Sequence, residues 1–178
     1  MRTNNTTTHY LKQFFKPILI SITWIPVIIT FNNHVCFVAR IDGRSMEPTL
    51  KSGDWVFLWK WNCTDINAYK RNDVILFKAP LNSKKVYCKR IKGLQYDSVI
   101  PKNINNTTST DAKKLVHIPR NHIWCEGDNV FHSIDSNTYG PVSTGLCVGK
   151  VTKIIWPLSR FGTDLYESQG RTNVLYKK

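Results

Sequence analysis

Residues 40 to 50, RIDGRSMEPTL, hold a serine whose setting suits covalent chemistry. Gly43 reaches backbone angles that a residue with a Cβ avoids. Pro48 fixes its own φ and biases Glu47 toward extended geometry. Ser45 is thereby presented on a short, shaped turn, as a nucleophile requires and as an ordinary loop serine also is. A serine hydroxyl attacks poorly until a base takes its proton. One base is His132, beside Ser133 and near Asp135, since Ser-His-Asp partners meet in space rather than along the chain. The glycine of a G-x-S-x-G elbow is missing, because Glu47 stands there. The other base is Lys89 in KVYCKRIKG (85–93), which strand alternation puts on the face of Tyr87 and Ile91. A lysine on an apolar face loses water, which disfavours its ammonium and frees the amine. Composition alone favours the opposite phase, with Lys89 in solvent and Cys88 and Arg90 inside.

The elements that must hold these groups read as short strands. DWVFLWKW (54–61), DVILFKA (73–79), KVYCKRI (85–91), HIWCEG (122–127) and LCVGKVTKIIW (146–156) are rich in β-branched and aromatic residues. SGD, RND, EGDN and YGP punctuate them. No amphipathic helix stands out after the amino-terminal region, so the body is expected to be mainly β. Residues 95–116 are polar, Asn/Thr-rich and aperiodic, and read as a long surface excursion, flexible or weakly hairpin-like.

Ahead of the strands, PILISITWIPVIITF (17–31) carries no charge. As a helix it reaches about 22 Å, short of a hydrocarbon core of about 30 Å. Phe14, Phe15 and a snorkelling Lys16 lengthen it toward a full span. Rival readings are a removable signal-peptide core and a buried helix. Arg2, Lys12 and Lys16 precede the run and only Arg40 follows closely, so the amino end is expected on the positive side and the body on the other. The expected organisation is a basic segment at 1–16, a transmembrane anchor at 17–34, a catalytic β domain at 35–157 and a basic tail at 158–178.

The 178 residues carry a net charge of +13, with every acid from Asp42 onward. Such a balance draws the chain to anionic surfaces, a membrane leaflet or nucleic acid. A nucleic-acid-binding β domain would use Lys70, Arg71, Lys84, Lys85, Lys89, Arg90 and Lys92, with Trp59 and Trp61 for stacking. The apolar run argues against it, and leaflet attraction accounts for the charge. Cys36, Cys63, Cys88, Cys125 and Cys147 show no metal-ligand spacing and read as small buried hydrophobes.

Taken together, RIDGRSMEPTL, RNDVILFKAP, VYCKRIKG and EGDNVFHSIDSNTYGPV resemble, in order and spacing, the motifs of type I signal peptidases, the membrane-anchored Ser/Lys proteases. Within that family the chain is most similar to the fungal mitochondrial inner membrane peptidases, to their subunit 2 in particular. The resemblance implies twisted antiparallel sheets of the signal-peptidase type behind one N-terminal transmembrane helix. It makes Ser45 the nucleophile and Lys89 its base, with Ser133 orienting the amine. Gly43, Met46, Arg90, Gly127, Asp128, Asn129 and Asp135 shape the site. It implies no metal or other cofactor, precursor polypeptides as substrates, a sister catalytic subunit, no nucleic acid, and a catalytic domain facing the intermembrane space. An inactive, structural partner subunit is the alternative, disfavoured because Ser45 and Lys89 are both present.

Two departures from the family pattern matter. Gly43 stands where many bacterial relatives carry a serine that helps hold the oxyanion, which shifts that duty to the backbone N–H of Ser45. Asn137 stands where the family's S-x-D-S segment ends in arginine, which leaves the partner of the nearby aspartate open, Arg90 being one substitute.

Overall fold

The computed structural model describes residues 5–102, 115–165 and 174–175 of the chain. It divides into a helical unit ending at Val35 and a β unit from Cys36. The helix, α1 (Asn5–His34), has 30 residues and holds Pro17 and Pro26 within it. Two hydroxyls bond back to the helix main chain: Ser21 Oγ donates to Pro17 O at 2.8 Å and Thr23 Oγ1 to Ile20 O at 2.7 Å. Ile20, Ile22, Trp24, Ile25, Val27, Ile28, Ile29 and Phe31 are all exposed. No helix among the described residues is long and apolar enough to cross a membrane.

Among its described residues the β unit contains ten strands: β1 (Cys36–Arg40), β2 (Trp55–Trp59), β3 (Val74–Ala79), β4 (Asn82–Gly93), β5 (Ser98–Val99), β6 (Val116–His117), β7 (His122–Glu126), β8 (Val142–Ser143), β9 (Cys147–Trp156) and β10 (Val174–Leu175). Seven form one sheet in the order β1-β2-β9-β3-β4-β7-β8, and three form another, β10-β5-β6. Every pair is antiparallel. The expected strands are present, and β1, which the sequence reading passed over, is added at an edge. Part of the excursion proposed at 95–116 forms the β5–β6 pairing; residues 103–114 lie outside the described residues.

Alternation along β3 explains why the sheet is buried on both faces. Val74 and Leu76 enter one core with Ile41, Met46, Leu50, Val56, Leu58, Val151 and Ile154. Ile75 and Phe77 enter a second core with Ile66, Tyr69, Ile91, Ile123 and Cys125. The strand is therefore apolar at consecutive positions rather than at alternate ones. β4 lies between β3 and β7, and its last five residues, Lys89–Gly93, are buried, three of them cations. Lys89, Arg90 and Lys92 therefore do not form the solvent-facing cationic surface that nucleic-acid binding needs.

From residue 158 the chain does more than trail. Leu158–Arg160 makes a 3-10 turn and Leu165 is buried in the first core; of the expected tail, 166–173 and 176–178 lie outside the described residues.

We expect Leu58→Ala, inside the first core, to destabilise the full chain by about 2–5 kcal/mol. Leu81→Ala, at a position 82% exposed, should stay within about 0.5 kcal/mol. Thermal unfolding in detergent compares the two.

Candidate active site

The serine turn is held by its own hydrophobic residues. Met46 and Leu50 point into the first core while Ser45 between Arg44 and Met46 stays half-buried. Leu50 N donates to Met46 O at 2.9 Å and Glu47 N to Arg44 O at 3.2 Å, closing the turn. Gly43 opens it at φ +96°, where a Cβ would meet nothing within 4 Å, so conformation and not space demands glycine there.

Side chains from distant segments then clamp the turn. Asn129 N donates to Ser45 O at 3.0 Å and Asn129 Nδ2 to Arg44 O at 3.2 Å. Arg160 Nη2 donates to Thr49 O at 2.6 Å, while Nη1 pairs with Asp54. Thr49 Oγ1 donates to Asp128 Oδ2 at 2.5 Å. Arg90, fully buried, grips Asp128 with two bonds, Nε to Oδ1 at 2.8 Å and Nη2 to Oδ2 at 2.6 Å. Its Nη1 satisfies the carbonyls of Asn72 and Leu165. A guanidinium taken out of water requires this full set of acceptors.

Lys89 immediately precedes Arg90 on β4, on the opposite face and 3% exposed. Its strand neighbours Tyr87 and Ile91 belong to the second core, in the phase that alternation places them. The amine lies 5.7 Å from the centroid of the Tyr87 ring, which packs edge-on against Phe77 and stacks on Tyr139 at 6.4 Å. Among the described residues Lys89 joins none of the five ion pairs. Burial pulls its pKa below the ordinary lysine value, opposed by weaker attraction from Cys88, Asp135, Cys125 and Asp128.

Gly127 joins the two parts. β4 and β7 pair Arg90 with Glu126, so Gly127 follows one step beyond, alongside Lys89. A Cβ on Gly127 would lie 2.6 Å from Ser45 O and 2.6 Å from Ser133 Cβ, closer still to Ser133 Oγ. Only glycine lets the serine turn and the Ser133 segment close on each other here. Asp135 completes this wall, with Oδ2 accepting from Ser133 Oγ at 2.9 Å and from Gly127 N at 3.2 Å. Among the described residues Ser45 N–H meets no acceptor, and no hydrogen bond joins the Ser45 hydroxyl to the Lys89 amine. Catalytic pairs are often loose before substrate closes the site.

Comparison with known proteins gives the chain a family. The family described as signal peptidase, peptidase S26, matches residues 11–104. A mitochondrial inner membrane protease subunit 2 from Saccharomyces cerevisiae is 50% identical over 166 residues, covering 90% of each chain. The chain belongs to the signal peptidase family. The Schizosaccharomyces pombe subunit 2 is 42% identical over 84% of this chain and 81% of its own. A human mitochondrial inner membrane protease subunit 1 is 37% identical over 72% of this chain and 75% of its own. Within the signal peptidases the chain thus sits with the proteases of the mitochondrial inner membrane.

Ser45, Gly127, Asn129, Ser133 and Asp135 meet through the contacts above, and Arg90, Asp128 and Thr49 form a second knot behind the turn. Met46 is an anchor of the turn rather than a lining residue. The His132 arrangement is not formed: His132 is exposed, and the oxygens of Asp135 serve Ser133, Gly127 and Asn137. Arg90 does not replace the arginine absent at 137, because it pairs with Asp128; Asn137 itself serves Asp135, with N and Nδ2 donating to Oδ1 at 3.0 and 2.9 Å. Thr49 and Arg160 escaped the sequence reading. Arg160 stands 106 residues from Asp54, and no local pattern marks that pairing.

Gly127→Ala should separate packing from chemistry. Its methyl must push Ser133 or the Ser45 carbonyl aside, and cleavage should fall on the order of 10²-fold, the scale of a misplacement near 1 Å. Gly43→Ala meets open space and should instead lower stability by about 1–3 kcal/mol through backbone strain. Precursor cleavage and melting temperature measured on both variants check the contrast.

Proposed function

We propose that this chain is a membrane-anchored serine endopeptidase that removes signal-like sorting presequences from proteins delivered to the mitochondrial intermembrane space. Ser45 is the nucleophile and Lys89 the general base. The observation that supports this reading best is a buried lysine with no ion pair among the described residues, alongside the glycine against which the serine turn closes. Neutral Lys89 takes the Ser45 proton as the hydroxyl attacks the scissile carbonyl. It then returns that proton to the leaving amine, and water, deprotonated by the same amine, releases the acyl-enzyme. Ser133 donates its own proton to Asp135, so toward Lys89 its oxygen acts as acceptor and turns the amine lone pair to Ser45. The Ser45 N–H is a donor for the oxyanion, in the place where Gly43 offers no hydroxyl.

Helix α1 serves as the anchor. Its uncharged stretch exposes apolar side chains at successive positions through Phe31, a surface suited to lipid, with Pro26 tolerated as membrane helices allow. The cations ahead of it favour an amino end on the matrix side and a catalytic domain facing the intermembrane space. Anchoring both partners at one surface raises their effective concentration. Subunits 1 and 2 both exist among the relatives, which supports assembly with a sister catalytic subunit.

Ser45→Ala and Lys89→Met should each remain folded and membrane-bound while losing precursor cleavage, and a purified Lys89→Met that still cleaves would contradict the dyad. The pH sign follows from burial. The base must be uncharged, so kcat/KM should rise as pH climbs through the pKa of Lys89, at a midpoint below that of an ordinary lysine. A flat profile from pH 5 to 9 would oppose a lysine base, since about four decades of proton concentration leave such a group's charge state unequal.

A further inference from the structure

We propose that Asn137, held in orientation by the main-chain N–H of Lys102, is a positioning residue that fixes Asp135 and through it the Ser133 hydroxyl. This role rests on the Ser45/Lys89 reading and reaches beyond it to the far end of a directed hydrogen-bond chain. Lys102 N donates to Asn137 Oδ1 at 2.8 Å, across 35 residues of sequence. An amide has one accepting and one donating end. With Oδ1 committed to Lys102, Nδ2 must face Asp135, where it donates to Oδ1 at 2.9 Å beside the Asn137 N–H at 3.0 Å. A flipped amide would set its NH2 against the Lys102 N–H and its oxygen against a carboxylate, two repulsions at once.

Both Asn137 donors occupy Oδ1, which leaves Oδ2 to Ser133 Oγ at 2.9 Å and Gly127 N at 3.2 Å. Asp135 is 5% exposed and has four donors for its four principal lone-pair directions. The origin of the chain is itself tied down. Lys102 Nζ pairs with Glu126 Oε2 at 2.5 Å, and Trp124 Nε1 donates to Glu126 Oε1 at 2.9 Å. Residue 102 is thus fixed to β7, and its N–H reports the position of that strand to the Ser133 hydroxyl.

The test uses detergent-solubilised full chain with its partner subunits, following cleavage of a presequence substrate across pH. Asn137→Asp keeps the shape and the acceptor for Lys102 but removes the donor and adds a negative charge beside Asp135. The groups facing the Lys89 amine are Asp135, Asp128 held by Arg90, Cys88, Cys125 and the Tyr87 ring. An added anion next to Asp135 favours the ammonium, so the rising limb of kcat/KM should move to higher pH. Asn137→Ala should lower kcat about tenfold at unchanged KM, less than the 10²–10⁴-fold of a general base itself. Lys102→Pro should fall about tenfold below Lys102→Ala, which loses the same side chain but keeps the N–H. A limb for Asn137→Asp that coincides with the parent's, whatever happens to melting temperature, overturns the proposal. A Lys89→Met enzyme that still cleaves would overturn the dyad and this role together, whereas an inactive Lys89→Met beside an unmoved Asn137→Asp limb overturns this role alone.

Discussion

A lysine carried into the middle of a sheet without an ion-pair partner among the described residues is the constraint around which the rest of this domain is arranged. Water is what keeps a lysine protonated at neutral pH, and β4 removes it from Lys89 by burial between two packed faces. Arg90, its neighbour on the same strand, is buried as deeply but is matched by Asp128 and two backbone carbonyls. Adjacent cations on one strand thus meet opposite treatment. One is neutralised by a partner; the other is left without one among the described residues, and burial disfavours its ammonium. The pairing of Arg90 also keeps Asp128 from serving Lys89, as the four donors on Asp135 limit that carboxylate.

Ser45 is placed by a different kind of force. Met46 and Leu50 sink into the first core and leave Ser45 at the rim. Burial alone leaves the backbone of such a turn free to rock, and directed bonds remove that freedom. Asn129 holds the carbonyls of Arg44 and Ser45 from one side, Arg160 that of Thr49 from another, and the Thr49 hydroxyl reaches the Arg90–Asp128 pair. The Ser45 turn and the Lys89 strand are therefore tied to one buried ion pair through separate arms. A site on a loop behaves as though it were part of the sheet, which is the rigidity a reacting geometry needs.

Much of this was legible in the residues themselves. β2, β3, β4, β7 and β9 announce themselves through runs of Val, Ile and aromatic side chains bounded by turn signals. Ser45 and Lys89 stand out by their motifs. The phase of β4 was not readable from composition, because Cys88 and Arg90 on one face and Tyr87, Lys89 and Ile91 on the other are all at least partly buried. Alternation presumes one wet face, and this strand end has none. β1 follows directly on α1 and carries no turn signal, so it merged with the helix flank. The pairings of Arg160 with Asp54 and of Lys102 with Asn137 span 106 and 35 residues, and only the folded chain brings them together. Leu158, Phe161 and Leu165 are spaced among polar neighbours, which made a structured segment read as a tail.

Lysine Cε chemical shifts followed by NMR through a pH titration report the charge of the amine itself, without the intervening steps of turnover. One resonance should titrate with a midpoint below the ordinary lysine value of 10.5, vanish in Lys89→Met, and shift its midpoint when Ser45 is replaced by alanine. If every lysine in the folded chain titrates at the ordinary value, or the early-titrating one ignores Ser45, the amine at 89 is not the base that activates this serine.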